Sequence, residues 1–325
     1  MIDLYGRNID YLRISITDKC NFRCKYCMPD EEENTLLDSD ILTFDEIIKI
    51  CRSASNLGIH RIKITGGEPL LRADSIDLIK AIKELPLIDN ITLTTNGVLL
   101  YDKVHGLKNS GINSINISLD TLNREKFNDM TRRNKFDSVI KGIKEAVKIG
   151  IKIKINCVPI KNFNLDEIAD IARISKEKNI DVRFIEMMPI GIGTSFRGIP
   201  NIEVLDILEK QYGAFTQLEN YNDNGPALYY KNEQFKGRIG FISAVSKEFC
   251  KNCNRIRVTC DGSLKPCLCY STGIDLKNLI KNGISEQELT NEIKDGILSK
   301  PEKHEFNEEK KSDNIEIKRM SQIGG

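Results

Sequence analysis

The 325-residue sequence predicts an α/β chain: an incomplete (βα)6 barrel of the TIM type over residues 1–200, followed by a smaller C-terminal α+β module over 201–325. Three observations predict it. Short β-rich runs alternate with helical segments six times. The first five of those runs are apolar on one face and polar on the other. The alternation stops near residue 200, where Gly and Asn punctuate shorter segments.

The six runs are "YLRISIT" (11–17), "RIKIT" (61–65), "NITLTT" (90–95), "INSINISL" (112–119), "IKIKINCV" (151–158) and "DVRFIEM" (181–187). Between the first two, "TFDEIIKICRSASNLG" opens on Thr43 with Glu46 three residues on, a reciprocal helix cap, and stops at Gly58. "DSIDLIKAIKEL" and "LDEIADIARISKEKN" are similar helical units. Repeated βα units of this length imply a parallel sheet.

Side chains alternate across a strand, so Arg13, Ser15 and Thr17 oppose Leu12, Ile14 and Ile16. The same split sets Arg61, Lys63 and Thr65 against Ile62 and Ile64, and Thr92 and Thr94 against Ile91 and Leu93. It recurs with Asn116 and Ser118, and with Lys152, Lys154 and Asn156. A closed eight-stranded barrel fills its interior with branched apolar side chains, and a doubly wound sheet is apolar on both faces. Neither suits this pattern, which asks for a wider, open barrel with a polar ligand in its lumen. A sheet with one face in solvent is the alternative, and parallel sheets rarely accept it. The sixth run is less regular, because Arg183 and Glu186 differ in parity. Beyond residue 200 the sequence predicts a helix over 202–212, a turn at "YNDNGPA" and a strand pair at "ALYY" and "GRIGFI", as a module closing the barrel mouth. The tail from Lys300 is charged and expected to be mobile as far as "MSQIGG".

Lys and Arg number 48 against 47 Asp and Glu, so no overall field draws the chain to nucleic acid or to an anionic membrane; any anion site must be local. The start "MIDLYGRNID" is unlike a signal peptide and no window approaches the roughly 20 apolar residues of a membrane span, so a cytoplasmic protein is expected. Ten cysteines in a reducing compartment point to metal rather than disulfides, and they cluster. Cys20, Cys24 and Cys27 are spaced C-x3-C-x2-C, an arrangement random placement would produce about 0.01 times in such a chain, whereas a lone C-x2-C such as Cys250–Cys253 arises about 0.3 times. The first group therefore carries the argument. It follows the first strand, at the carboxyl end of the sheet where barrels place their chemistry. Three thiolates can hold three irons of a four-iron, four-sulfur cluster and leave the fourth open. Zinc would need a fourth ligand, and His60, His105 and His304 all lie far away in sequence; iron–sulfur is favoured, with zinc the alternative.

"CNFRCKYC" resembles the signature of radical S-adenosylmethionine (SAM) enzymes, and "TGGEPLLR" at the end of the second strand resembles their GGEP motif. With "TTNG", "RFIEMM", "FCKNCNRIRVT" and the terminal "GG", the whole chain is similar to the GTP 3',8-cyclases of molybdenum cofactor biosynthesis. The resemblance implies a lyase with two [4Fe-4S] clusters and SAM. The first cluster would be held by Cys20, Cys24 and Cys27, the second by Cys250, Cys253 and Cys267, with the open iron of the second binding guanine. Cys260 and Cys269 stand nearby as rivals to Cys267, which spacing prefers. Tyr26, Gly67, Ser118 and Met188 would line the SAM site. Thr94 and the run Arg255–Ile256–Arg257 would contact GTP, and Gly324 and Gly325 would reach back into the site. The paired glycines of GGEP would let the backbone approach a ligand closely.

Charge adds to this. A nucleoside triphosphate carries about four negative charges, and Arg13, Lys63 and Lys154 on the polar face can meet them, with Arg61 and Arg183 as further candidates. The implied reaction removes hydrogen from C3' of GTP and closes that carbon onto C8 of guanine. An electron donor is required, and handover of product to the next pterin-forming enzyme is expected. The oligomeric state stays open, a homodimer among the choices. One rival is a radical SAM enzyme with an auxiliary cluster acting on a peptide, and the arginines of "CNRIR" speak for a nucleotide instead. The other is a zinc-stabilised binding protein without catalysis. Cys51 and Cys157 read as core residues.

Overall fold

A computed structural model describes residues 1–30, 35–219, 225–247, 249–306 and 314–324. Most of the expected turn at 221–227 and the expected site residue Gly325 fall outside those residues. Six strands appear where the alternation placed them: β1 (Tyr11–Ser15), β2 (Arg61–Thr65), β3 (Asn90–Thr95), β4 (Ser114–Ser118), β5 (Ile153–Cys157) and β6 (Asp181–Ile185). All are parallel to their neighbours in the order β1 to β6. The helices between them are α1 (Phe44–Ser55), α2 (Ser75–Lys83), α3 (Leu100–Asn109), α4 (Arg124–Thr131), α5 (Phe136–Lys148) and α6 (Ile168–Glu177). The cap read from sequence is present: Thr43 accepts from the Glu46 N–H at 3.3 Å while Glu46 accepts from the Thr43 N–H at 2.8 Å.

Residues beyond 200 contribute α7 (Asn201–Tyr212) and then widen the same sheet at both edges. On the β6 side come β7 (Thr216–Gln217), β8 (Leu228–Lys231) and β9 (Ile239–Ile242), with β9 parallel to β6. On the β1 side come β10 (Arg255–Val258), β11 (Ser263–Lys265) and β12 (Ile274–Asp275), with β10 parallel to β1. The chain continues into α8 (Leu276–Lys281), α9 (Glu286–Leu298) and α10 (Met320–Ile323). The strand order β12-β11-β10-β1-β2-β3-β4-β5-β6-β9-β8-β7 is open.

It is nevertheless strongly curled. Strands lie about 4.8 Å apart, so Arg13 on β1 and Arg183 on β6 would be about 24 Å apart in a flat sheet. Their guanidinium groups instead come close enough across the lumen for Arg183 to lower the pKa of Arg13. The outer face carries Leu12, Ile14, Ile62, Ile64, Ile91, Leu93, Ile115, Ile117, Ile155 and Val182, all fully buried under the helices. Each such side chain contributes about 1.5–3 kcal/mol of burial, which fixes the register because a one-residue slip would turn the lysines and arginines outward into that layer. Among the described residues no helix is long and apolar enough to cross a membrane.

The tail departs from expectation. Lys300 and His304 are buried, and so is Glu316, which forms a buried ion pair with Lys265. Ile315 bridges to Tyr270 and the Glu316 N–H donates to the Cys269 carbonyl at 2.8 Å. The described parts of the tail are therefore packed, because charges that read as solvated in sequence find partners or cover in the module. Cys51 and Cys157 are fully buried core residues.

Candidate active site

The loop between β1 and α1 carries Cys20, Cys24 and Cys27 to the carboxyl end of the barrel. Three contacts shape it. Arg23 donates to the Cys20 carbonyl at 2.7 Å, Arg132 donates to the Arg23 and Met28 carbonyls, and the Tyr26 hydroxyl donates to Asp120 at 2.7 Å. The glycines of "TGGEP" press against this loop. A Cβ on Gly67 would sit 2.4 Å from the Lys19 carbonyl oxygen, and one on Gly66 would sit 2.7 Å from that of Thr17. The close approach that the paired glycines permit is thus to the cysteine loop's own backbone, with the Gly67 and Glu68 N–H groups donating to Thr17 and Lys19 at 2.7 and 2.8 Å.

The three thiols share one apolar setting. Burial, with Glu68 nearby, pushes Cys20 up to about 11. Burial and the charges of Cys27 and Cys20 push Cys24 well above the ordinary thiol range, and burial and Cys20 push Cys27 up to about 12. The Cys20 sulfur also accepts from the Phe22 N–H at 3.4 Å and from Asn96 at 3.9 Å. Three crowded thiols whose ionisation is opposed by one another, with amide donors aimed at a sulfur, form a donor set suited to a cationic iron–sulfur core, and the residues present fit a [4Fe-4S] cluster. Behind them Glu68 is fully buried, accepting from Thr95, Leu70 and Asn96 at 2.7–3.0 Å; burial raises its pKa to about 7.

Cys250, Cys253 and Cys267 line the same cavity, of about 320 Å³, as Cys20, Cys24 and Cys27. A short turn over 250–252 leads into β10, so Arg255 and Arg257 follow the CxxC on one strand face. Burial pushes the Cys253 thiol up, but Arg255 and Lys300 outweigh it and bring it down to about 6. The sulfur donor set and nearby cations suit a second, negatively charged cluster. Cys269 lines the cavity too, its sulfur accepting from the Glu305 N–H at 3.4 Å, whereas Cys260 lies buried beside Asp18 and Asp261.

Between the two cysteine groups the lumen is cationic. Lys63 is driven well below its ordinary value by burial and then by Arg183, Arg13, Lys154 and Arg255 together. Burial also brings Arg13 down to about 10 and lowers Arg257, with Arg13 and Arg255 repelling it further. Such crowding of like charge asks for a polyanion. The Gly324 carbonyl partly answers, accepting from Arg13 Nε at 2.8 Å and Arg257 Nη1 at 3.1 Å. Gly324 has φ +76°, and a Cβ there would lie 2.6 Å from Thr65 Oγ1, so only glycine fits.

The cavity gathers Tyr26, Gly67, Ser118, Met188, Thr94, Arg13, Arg255 and Arg257 of the residues singled out in sequence. Lys63 and Lys154 are not among the cavity's lining residues, although Lys63 lies in register with Arg13 and Lys154 with Asn116. Others are placed differently. Arg183 donates to Asn156 and Asn116 at 2.6–2.9 Å. Arg61 sits at the amino end of β2, paired with Asp10 at 3.2 Å, one layer below Lys63. The Ile256 side chain is fully buried in the apolar core, leaving its backbone alone toward the site. Sequence reasoning missed Asp120, which fixes Tyr26 and accepts from the Val158 N–H at 2.8 Å; its position just after β4 was the available signal. It also missed Lys300 and Ser321, which nothing in the sequence marks.

Residues 14–174 match the radical SAM superfamily and residues 180–306 match the family described as Molybdenum Cofactor Synthesis C. The chain is 46% identical over 325 residues to a GTP 3',8-cyclase of Clostridium perfringens (strain 13 / Type A), covering 100% of both chains. It is 43% identical over 329 residues to the GTP 3',8-cyclase of Desulforamulus reducens, again covering 100% of each. Among solved structures, Streptococcus suis SuiB bound to precursor peptide SuiA is similar with a TM-score of 0.62 at 18% identity, over 91% of this chain and 66% of that one. At that identity the likeness shows the fold alone. The matched relatives share the full length of the chain, its two cysteine groups fall within the two matched families, and it belongs to the GTP 3',8-cyclase family of radical SAM enzymes.

Proposed function

We propose that this protein converts GTP into (8S)-3',8-cyclo-7,8-dihydroguanosine 5'-triphosphate, the opening step of molybdenum cofactor biosynthesis, in the cytoplasm. The observation that supports this best is the cationic lumen set between two three-cysteine groups in one cavity. In this reading residues 1–200 form the radical-generating barrel and 201–325 the auxiliary module. Cys20, Cys24 and Cys27 would hold a [4Fe-4S] cluster that, with SAM, would supply the radical chemistry, and Cys250, Cys253 and Cys267 would hold a second cluster that would help bind the guanine.

The chain's own part is holding and orienting. Arg13, Lys63, Lys154, Arg255 and Arg257 grip the triphosphate, and their mutual repulsion in the free protein is relieved when a polyanion enters. Thr94 contacts the substrate, and the backbone of Ile256 sets the spacing between its flanking arginines. Tyr26, held by Asp120, with Gly67, Ser118 and Met188, seats SAM above the lumen. Positioning of this kind can supply about 7–11 kcal/mol of a barrier without any side-chain acid or base. No side chain here is assigned one.

Anaerobically reconstituted protein incubated with GTP, SAM and dithionite tests the reading. The expected products are deoxyadenosine and the cyclised nucleotide in matched amounts. Deoxyadenosine with no cyclised guanosine product would overturn the substrate assignment.

A further inference from the structure

Lys300 is buried, 4% exposed, at the start of a segment that sequence reading left to solvent. Its ammonium donates to the carbonyl of Pro266, the residue before Cys267, at 2.6 Å. It also stands beside the Cys253 thiol. One side chain thus touches both halves of the second cysteine group, the CxxC turn before β10 and the lone cysteine after β11, which the hairpin alone would leave free to spread. Among the described residues it has no carboxylate partner.

The backbone beneath it is held by Arg7. The guanidinium donates to the Pro301 carbonyl at 2.8 Å, to that of Lys300 at 3.5 Å and to that of Glu302 at 2.9 Å. The same group donates to the Cys250 carbonyl at 3.2 Å. Asp3 orients it through a 2.6 Å ion pair, and both side chains are almost wholly buried. Arg7 therefore ties the lysine's segment to the first cysteine of the second group.

A buried ammonium without a carboxylate costs several kcal/mol unless an anion stands beside it. A thiolate-bound iron–sulfur cluster carries net negative charge and would be that anion. We propose that Lys300 is a positioning residue of the second iron–sulfur site: it holds Cys253 and the Pro266–Cys267 turn at the spacing the cluster requires, offsets the cluster's negative charge, and is itself anchored by Arg7. The inference rests on the second cluster of the proposed function.

The test compares full-length wild-type, Lys300→Met, Lys300→Gln and Lys300→Arg proteins, each reconstituted anaerobically with iron and sulfide. Wild type should hold about eight irons per chain. Lys300→Met should fall toward about four, keep the SAM-responsive electron paramagnetic resonance signal of the first cluster, and release second-site iron to a chelator at least about tenfold faster. Any second cluster left in Lys300→Met or Lys300→Gln should have a more negative reduction midpoint, and Lys300→Arg should restore most of the wild-type behaviour. The metal-free Met and Gln proteins should melt close to wild type, since the desolvation cost of the buried ammonium and its contacts to Cys253 and the Pro266 carbonyl oppose one another. Unchanged iron content, release rate and midpoint in Met and Gln would overturn the proposal. So would a clear drop in metal-free melting temperature in both, which would make Lys300 a residue of the fold. Wild type holding only about four irons would instead refute the second cluster itself, whatever the variants do.

Discussion

The two cysteine groups have the same number of thiols and opposite surroundings. At Cys20, Cys24 and Cys27 burial, the thiols' own charges, Glu68 and Asp120 outweigh the cations Arg23 and Arg319, and every thiol is pushed upward. At Cys253 the neighbours Arg255 and Lys300 outweigh burial and pull the thiol down to about 6. The raised thiols of the first group must shed protons to bind metal, while Cys253 in the second is poised to offer a thiolate in advance. The difference also separates the tasks. Negative charge beside a cluster makes an added electron costlier and the reduced state a stronger reductant, whereas in the proposed function the cations beside the second group would favour an electron-rich base and a triphosphate.

The comparison breaks most visibly if either group is disabled. Cys24→Ala should abolish both deoxyadenosine and cyclised product, a fall of at least about 10⁴-fold, while about four irons remain at the second group. Cys267→Ala should do the reverse, sparing SAM cleavage and ending cyclisation. Iron analysis with chromatography of both products checks the pair, and loss of all iron in either variant would show that the sites are not independent. Next in size, Arg257→Ala should weaken GTP binding by about 10–100-fold in calorimetry, the worth of one or two charged hydrogen bonds, with uncoupled deoxyadenosine formation retained. Unchanged affinity would remove Arg257 from the phosphate site.

A gentler test reads the thiols directly. In metal-free protein at pH 7, iodoacetamide should label Cys253 at least about tenfold faster than Cys20, Cys24 or Cys27, as followed by peptide mass spectrometry. Equal rates would erase the contrast. The smallest effect concerns the lumen. Lys63→Met should raise the melting temperature of the metal-free protein by about 2–4 °C per kcal/mol of repulsion removed. The sign with pH follows from the lowered pKa of Lys63: between that lowered value and the ordinary 10.5 the unfolded chain binds more protons than the folded one, so wild type gains stability as pH rises. The advantage of Lys63→Met should therefore shrink between pH 7 and 9.5, and a constant advantage would mean that Lys63 is not electrostatically strained.

Much of this was legible because strands announce themselves by alternation. "RIKIT" and "NITLTT" became β2 and β3 with the expected limits, and the Thr43–Glu46 cap starts α1 as its spacing required. The inward basic residues were legible for the same reason, but not their height in the lumen. Arg61 and Lys63 share a face, and only the position of Asp10 shows that Arg61 belongs to the layer below. Lys300 was illegible because its partners are a carbonyl and a sulfur some 30 to 50 residues away, in an otherwise charged stretch. A lysine in such company reads as solvated until the fold closes over it.

The pairing of β1 with β10 bears on how the chain is made. Tyr11 lies opposite Arg255, so the first barrel strand waits for a neighbour synthesised about 240 residues later, roughly 12–50 s at ordinary elongation rates. Until then β1 has β2 on one side and an open edge on the other, and the loop bearing Cys20, Cys24 and Cys27 hangs from its end. Gly324, whose carbonyl joins Arg13 to Arg257, emerges from the ribosome last of the described residues. A nascent chain can thus build the apolar outer layer early, whereas the bridge from Arg13 to Arg257 through the Gly324 carbonyl waits until the rest of the described chain has been made.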